Sequence, residues 1–436
     1  MSEERTYNKD CVAKAGENVK INGWVQENRN LGGLRFLLLK DRSGEVQVTV
    51  IKGETTDAIK DATSGLTRES YVEVVGELKA NEKAPMGVEL IPETFTVINK
   101  ADSPTPIDTS GKIVSELSNR LDNRFLDLRN QKSLAIFKVR GQIFKASVDF
   151  FEKNGFMNIQ TPKITNAGAE SGAELFPVVY FEQEAFLSQS PQLYKQMMVC
   201  AGFEKVYEIA PVFRAEKSNT ARHQTEFTGI DFEMGPINHT SDIMDTIDGL
   251  FTHILTHVNE TCAEELALWD IKVKIPKKIP RMTMTEAKKL LKEKGKELPE
   301  DDDFDPEGEK LMGEIIKEKF GEEFVFITNY PVSKRPFYHK YSEDGKTTDA
   351  FDLLWNGVEI CTGGQREHKY DVLKKQADEK GIDFDQMGWY VDLFKYGAPP
   401  HGGVGFGLDR MVQRLFQFDN IREAVLLPRD PVRLTP

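Results

Sequence analysis

The sequence predicts an α+β protein in two parts, a small β-barrel followed by a larger antiparallel sheet flanked by helices. Three observations carry this. Short alternating strands fill the first hundred residues with one helix among them. Strong helical periodicity begins only after residue 130. The later strands come as hairpins with one apolar and one charged face.

At 436 residues the chain has room for two or more domains and a substantial core. With 39% hydrophobic and 29% charged residues, the composition is that of a soluble globular protein. The opening MSEERTYNKD is polar, so no secretory signal is expected, and the densest apolar run, around Leu37 to Leu39, is far too short to span a bilayer. Cys11, Cys200, Cys262 and Cys361 form no CxxC pair and the histidines no HExxH. This points away from a disulfide framework or a cysteine zinc site and fits a reducing cytoplasm. The net charge of −13 argues against indiscriminate coating of nucleic acid. A nucleic-acid partner would need local Lys and Arg clusters and bind with salt-sensitive affinity.

In the first part Val19 and Ile21 alternate with Lys20 and Asn22, and Leu34, Phe36 and Leu38 form a second set. Asp41-Arg42-Ser43-Gly44 supplies a turn. Val46, Val48 and Val50 follow, with Gln47 and Thr49 opposite, then a short helix near Thr56 to Ala62 and a strand from Tyr71 to Leu78. Five short strands with one interposed helix predict an OB barrel over residues 1–103. Such barrels stack bases on aromatic rings and read base edges with amides and guanidinium groups. By itself Phe36 reads as barrel core. Residues 104–131 read as linker and hinge, opening with Pro104, Pro106 and Gly111 and continuing through a charged helical stretch, Glu116 to Asn130.

Residues 132–436 form the second part. From Ile136 to Asn154, Val139, Ile143, Ala146 and Phe150 recur at helical spacing, as do Phe144, Val148 and Phe151, and Gly155 marks the stop. So wide an apolar face is either deeply buried or shared with a second subunit. Phe156 to Ile164 reads as extended, with Pro162 inside it. Glu170 to Glu174 is a small-residue loop suited to moving over a ligand. Lys195 follows, and a lysine directed into a buried cleft needs an anionic partner.

The chain is organised around Phe213 to Met234. Arg214 and Glu216 share one side of the incoming strand. In the outgoing strand Phe227, Gly229, Asp231 and Glu233 share one face, and Thr228, Ile230, Phe232 and Met234 the other. The loop between adds Lys217, Arg222 and His223. Such a hairpin suits a nucleoside triphosphate: guanidinium on phosphate, ring on adenine, carboxylate accepting from the exocyclic amine.

Residues 272–323 read as a mixed-charge helical insertion with no assigned role. Ala350 to Cys361 is the clearest hairpin, with Asn356-Gly357 as a two-residue turn of positive φ. Strict pairing sets Leu354 opposite Glu359 and Asp352 opposite Cys361. Asp352 and Glu359 then share a face, and two such carboxylates suit Mg²⁺ bridging phosphates. Thr362 falls on the other face under strict alternation, and the strand is expected to break at Gly363-Gly364. Gln365-Arg366-Glu367-His368 brings a second cation, and two cations such as Lys195 and Arg366 in one cleft would suit a small acidic side chain over its amide, aspartate over asparagine. Gly402 to Arg410 (GGVGFGLDR) is a Gly-rich strand-to-helix turn, neither a Walker loop nor a full dinucleotide fingerprint.

Several of these stretches resemble one family. FRAE at 213–216, RHQTEF at 222–227 and DFEM at 231–234 look like the second signature motif of class II aminoacyl-tRNA synthetases, in the aspartyl subgroup. RLDNRFLDLR at 120–129 resembles the same family. The helix, strand and Pro162 between 136 and 164 look like its first motif, which forms the dimer interface there, and GGVGFGLDR resembles its third. The likeness covers nearly the whole chain, and the compact layout resembles the archaeal and eukaryotic type.

The resemblance implies a class II catalytic domain and a set of roles. Arg214, Glu359 and Arg410 are the expected catalytic residues, with Arg410 on the γ-phosphate. The ATP set adds Glu216, Arg222, His223, Gln224, Phe227, Gly407, Leu408 and Asp409, the last as an orienting group. Aspartate is expected against Glu170, Gln192, Lys195, Arg214, Thr362 and Arg366. Mg²⁺ is expected on Asp352, Glu359 and Thr362. Arg29, Phe36 and Gln47 resemble the anticodon-reading trio. Strict archaeal members carry tryptophan and lysine where this chain has Gln26 and Pro85, and Pro85 resembles the relaxed group that aspartylates both tRNA(Asp) and tRNA(Asn).

The implied activity is a cytoplasmic, homodimeric aspartate–tRNA ligase using ATP and L-aspartate, with no membrane partner. An asparaginyl synthetase is separated from it by which amino acid drives pyrophosphate exchange. A tRNA-independent asparagine synthetase would lack the barrel. A non-catalytic single-strand binder would lack Arg214, Glu359 and Arg366.

Overall fold

The computed structural model describes residues 4–166, 175–383 and 387–436. They divide into two compact units, one ending at Leu134 and the other spanning Ala135–Thr435. Among the described residues no helix is long and apolar enough to cross a membrane.

In the first unit β1 (Asn18–Asn30), β2 (Leu34–Lys40), β3 (Glu45–Ile51), α1 (Asp57–Thr63), β4 (Tyr71–Ala80) and β5 (Val88–Asn99) close a barrel in the order β1-β2-β3-β5-β4. Period-two alternation drives it: Val19, Ile21, Leu37, Leu39, Val46, Val48, Val72 and Val74 all point inward. Phe36 therefore points outward, which corrects its reading as barrel core. Two short helices follow, α2 (Leu117–Asp122) and α3 (Arg124–Asp127).

The second unit opens with α4 (Gln131–Lys153), whose first residues belong to the barrel unit, and Gly155 ends it at φ 76°. Strands β6 (Met157–Asn158), β7 (Ile164–Thr165), β8 (Pro177–Tyr180) and β9 (Gln183–Leu187) precede α5 (Gln192–Met198), β10 (Lys205–Phe213) and β11 (Glu226–Met234). Then come α6 (Thr240–Thr261), α7 (Ala263–Ala267), β12 (Arg281–Thr283), α8 (Met284–Glu293), α9 (Pro306–Phe320) and β13 (Phe324–Thr328). The unit finishes with β14 (Ala350–Trp355), β15 (Glu359–Gln365), α10 (Tyr370–Glu379), α11 (Gly388–Val391), β16 (Gly402–Gly407) and α12 (Leu408–Phe416).

Eight strands form one sheet in the order β12-β13-β14-β15-β16-β11-β10-β6. Its six central strands are antiparallel, whereas the edge pairs β12–β13 and β10–β6 run parallel. The predicted insertion is thus more than helices, since β12 joins the sheet. One sheet face carries Ile230, Phe232, Phe351, Leu353, Val404 and Phe406 into a core shared with α4, α6 and α12. At about 1.5–3 kcal/mol for each such buried side chain, this face fixes the strands and leaves the opposite face free for polar work.

The β14–β15 hairpin departs from strict pairing. Asn356 and Gly357 take φ 47° and 70° as expected, and Leu354 faces Glu359. A bulge then shifts the register, so Leu353 faces Cys361 and Asp352 faces Thr362 rather than Cys361. The extra residue turns Thr362 onto the face of Asp352. No break is needed, and β15 runs on through Gly363 and Gly364. A Cβ at Gly363 would lie 2.6 Å from the Phe351 ring, and one at Gly364 2.8 Å from Ala350 Cα. Close approach to β14 explains those glycines.

Candidate active site

The polar face of β10, β11, β15 and β16 lines a cleft of about 310 Å³, continuous with a smaller lobe through Arg214, Phe227, Gly407 and Arg410. β11 supplies Phe227, Gly229 and Asp231 to the cleft, the alternation its sequence predicts.

The larger lobe is built on buried charge. Lys195 on α5 donates to Asp231 Oδ1 at 2.8 Å and to the Val404 carbonyl at 3.0 Å, with Glu233 Oε2 3.6 Å away. Arg366, just past β15, donates from Nε and NH2 to the two oxygens of Glu233, from NH2 to Gln192 Oε1, and from NH1 to His339 Nε2. Arg335 NH2 reaches Asp352 Oδ2 at 2.6 Å. Three cations therefore stand against three carboxylates. The two cations expected to converge on a substrate are already tied to protein acids, and Asp231 rather than Lys195 lines the cleft.

These pairings set the protonation states. Burial pushes the Glu233 carboxyl up, but Arg366 and Lys195 outweigh it and hold it below the usual range. Burial, then Arg366, Arg335 and Lys195, holds the His339 imidazole well below its ordinary value. It is neutral, so its Nε2 accepts from Arg366. Gln192 Nε2 and His339 Nδ1 are among the buried polar atoms here without a protein partner.

Glycines make room for the carboxylates. A Cβ at Gly403 would overlap Glu233 Oε2, and one at Gly405 would lie 2.9 Å from Asp231 Oδ1. The Gly-rich run that fits neither a Walker loop nor a dinucleotide fingerprint is a strand whose missing side chains admit the acids of β11.

The smaller lobe gathers Arg214, Glu216, Arg222, His223, Gln224, Phe227, Gly407, Asp409 and Arg410. Arg214 packs its guanidinium 5.3 Å from the Phe227 ring centre. Gln224 is buried, and neither of its amide atoms is hydrogen-bonded within the protein. Asp409 accepts from Arg140 on α4 at 2.9 Å and from the Thr228 amide at 3.1 Å, tying helix to strand. Leu408 differs from its neighbours, with its side chain in the main core.

Where the lobes meet, Arg410 NH1 donates to the Glu359 carbonyl at 2.8 Å, and Thr362 donates to Glu359 Oε1 at 3.1 Å. The Glu359 side chain keeps 37% of its area open to the cleft. Even so, the protein around it and then the Asp352 carboxylate push its carboxyl above the ordinary range. Asp352 Oδ1 is buried without a partner. One carboxyl raised by burial and by a neighbouring carboxylate, an orphaned oxygen and a hydroxyl make a donor set that suits a hard divalent cation completed by phosphate and water. The side chains alone do not make a cage: among the described residues no three His, Cys, Asp or Glu cluster tightly enough to hold a metal.

Glu170 lies outside the described residues. Sequence reasoning missed Arg335 and His339, which sit in an aperiodic stretch, KRPFYHK. It placed Asp231 and Glu233 on the right face without giving them a task.

On the barrel, Arg29 faces Phe36 across β1–β2, Phe36 faces Thr49 across β2–β3, and Gln47 lies two residues along from Thr49. The trio thus shares one outer face. Arg29 pairs with Glu27, and Gln47 Nε2 donates to Glu89 at 3.2 Å. Gln26 is the extra residue of a bulge in β1, and Pro85 is exposed between β4 and β5.

Comparison with known proteins agrees with this architecture. The family model for class II tRNA synthetases (D, K and N) matches residues 116–431, and that for the OB-fold nucleic acid binding domain matches 19–98. The chain is 46% identical to the aspartate–tRNA(Asp) ligase of Pyrococcus abyssi, over 97% of each chain. It is 45% identical to the aspartate–tRNA(Asp/Asn) ligase of Methanopyrus kandleri, covering 97% of this chain and 96% of that one. Among solved structures, the asparaginyl-tRNA synthetase of Pyrococcus horikoshii with asparaginyl-adenylate superposes with a TM-score of 0.94 at 32% identity, covering all of both chains. An aspartyl-tRNA synthetase from Entamoeba histolytica gives 0.90 at 32%, over 99% of this chain and 93% of that one. With its OB-fold unit and its antiparallel catalytic sheet, the chain belongs to the class II tRNA synthetases of the D, K and N group.

Proposed function

We propose that this protein is an ATP-dependent aspartate–tRNA ligase. The observation that carries the reading is the buried Lys195–Asp231 and Arg366–Glu233 system at the floor of a cleft whose other lobe is a nucleotide-shaped set of Arg214, Phe227 and Arg410.

L-Aspartate binds with its side-chain carboxylate on Arg366, backed by Lys195, while the uncommitted Gln192 amide donates to its α-carboxylate end. Glu170 completes the ammonium site. Asparagine would replace a charge-assisted contact by a weaker one beside cations arranged for an acid. ATP stacks adenine on Phe227, offers its exocyclic amine to Glu216, and lays its phosphates along Arg214, Arg222, His223 and Arg410. Arg214 lines both lobes, so it touches the attacking carboxylate and the α-phosphate together. The α-carboxylate oxygen attacks the α-phosphorus, the bond to the β-phosphate oxygen breaks, and pyrophosphate leaves with the bond electrons. The 3′-hydroxyl of the tRNA then attacks the mixed anhydride, releasing AMP. No protein nucleophile is used, so catalysis is alignment and charge stabilisation. Asp352, Glu359 and Thr362 would hold Mg²⁺, which when bound neutralises charge on the phosphates.

The barrel face of Arg29, Phe36 and Gln47 reads the anticodon of tRNA(Asp). With an exposed proline at position 85 and a bulged glutamine at 26, readout is loose enough to admit tRNA(Asn). Phe144, Met157 and Ile164, exposed on α4 and the segment after it, form the contact of a homodimer, the assembly expected in sedimentation. The working site is the cytoplasm.

Pyrophosphate exchange over a panel of amino acids, followed by charging of both tRNA transcripts, tests this. Exchange with L-aspartate and transfer to both tRNAs is the expected result. Exchange driven by L-asparagine would overturn the amino-acid assignment, and a large preference for tRNA(Asp) would remove the dual specificity.

A further inference from the structure

Helix α9 lies in the charged insertion that the sequence left without a role, yet it is placed tightly. Asp305 caps it, accepting from the Gly308 amide at 2.7 Å, and Met312, Ile315 and Ile316 are buried against Val325, Ile327 and Leu354. Its Gly313 meets the turn of the β14–β15 hairpin. A Cβ at Gly313 would lie 2.7 Å from Gly357 Cα, and a Cβ at Gly357 2.8 Å from Lys310 Cα. The helix is thus seated on the hairpin that carries Asp352 and Glu359.

One turn before Gly313, on the same side of the helix, stands Glu309. Its Oε2 accepts from Arg222 NH1 at 3.1 Å. Arg222 belongs to the loop between β10 and β11 and lines the smaller lobe, with 41% of its side chain open. The same loop is tied down elsewhere by Ile421 N to the Ala221 carbonyl at 2.9 Å and by Arg422 to Asn219 and Thr220. Those contacts hold the loop backbone at Thr220 and Ala221 and the Asn219 side chain, whereas Glu309 holds the Arg222 guanidinium. An arginine is a long side chain with much rotamer freedom, and a carboxylate behind it settles its direction before a ligand arrives.

We propose that Glu309 is a positioning residue for the nucleotide: supplied by the insertion, it fixes Arg222 over the phosphate end of ATP. This rests on the reading of the smaller lobe as an ATP site.

The test is a double-mutant cycle in pyrophosphate exchange, with binding of a fluorescent ATP analogue measured in parallel. Glu309→Gln should raise the KM for ATP about 5- to 30-fold, the scale of losing one ordered arginine contact, and leave the KM for aspartate within about twofold. Arg222→Ala should do the same, and the double variant should be no worse than Arg222→Ala alone. An unchanged or lower ATP KM in Glu309→Gln overturns the proposal. So does a Glu309 effect that multiplies with Arg222→Ala, because a merely structural prop for α9 would act without the arginine. If the wild type shows no aspartate-dependent exchange, the functional reading fails by itself, and the cycle is then read from analogue binding.

Discussion

The Arg366 guanidinium meets the Glu233 carboxylate side-on, Nε to Oε1 at 2.8 Å and NH2 to Oε2 at 3.3 Å, with both side chains sealed from solvent. A paired contact of this kind fixes the plane of the guanidinium as well as its place. It also leaves Arg366 dependent on its partner, because a buried charge without compensation is costly.

Glu233→Ala should therefore destabilise the catalytic unit by about 3–5 kcal/mol, the range for breaking one side of a buried pair. Chemical denaturation followed by near-ultraviolet circular dichroism measures this. A midpoint equal to that of the wild type would mean that the pair contributes nothing.

Gly405→Ala probes the same cluster from the opposite strand. A methyl group 2.9 Å from Asp231 Oδ1 must displace that carboxylate, and Lys195 with it. The KM for aspartate should rise about tenfold, or about 1.4 kcal/mol, with that for ATP little changed. Equal rises for both substrates would place the damage elsewhere.

His339 gives the pH dependence a sign. Burial and the neighbouring Arg366, Arg335 and Lys195 keep it neutral well below its ordinary value, while in the unfolded chain it takes up a proton below about pH 6.5. Its contribution to stability is complete above that value and is lost as the pH falls toward the depressed folded pKa. Over that window the wild type should lose stability more steeply than His339→Gln, by about 1.4 kcal/mol per pH unit. Glutamine keeps an acceptor for Arg366, so the two proteins should be close in stability near pH 8. Parallel pH–stability curves would contradict the assignment.

Much of this was legible in the sequence because it rests on period two. The alternation of β11 placed Phe227, Asp231 and Glu233 on one face, and Asn356-Gly357 announced its turn. What alternation could not carry was the bulge between Glu359 and Cys361, which is an exception to the period and decides where Thr362 points. Phe36 looked like core because an aromatic in a strand usually is, and the outward phase of β2 is set by Leu37 and Leu39. Glu309 was hidden in a charge-rich stretch where one functional carboxylate looks like any solvated one. Arg335 and His339 come from a segment without periodicity and reach the cleft only through tertiary contact.

The barrel face predicts a separation between the two steps. Phe36→Ala should lower kcat/KM for tRNA by roughly 10- to 100-fold, the cost of one lost base stack of about 1–3 kcal/mol, with pyrophosphate exchange unchanged. A fall in exchange would show that the residue acts on the fold.

Aspartate-dependent pyrophosphate exchange by Arg366→Ala, with ATP binding measured on the same protein, bears most directly on the buried charge system. Exchange should disappear while ATP binds as in the wild type. Exchange near the wild-type rate in that variant would contradict the account.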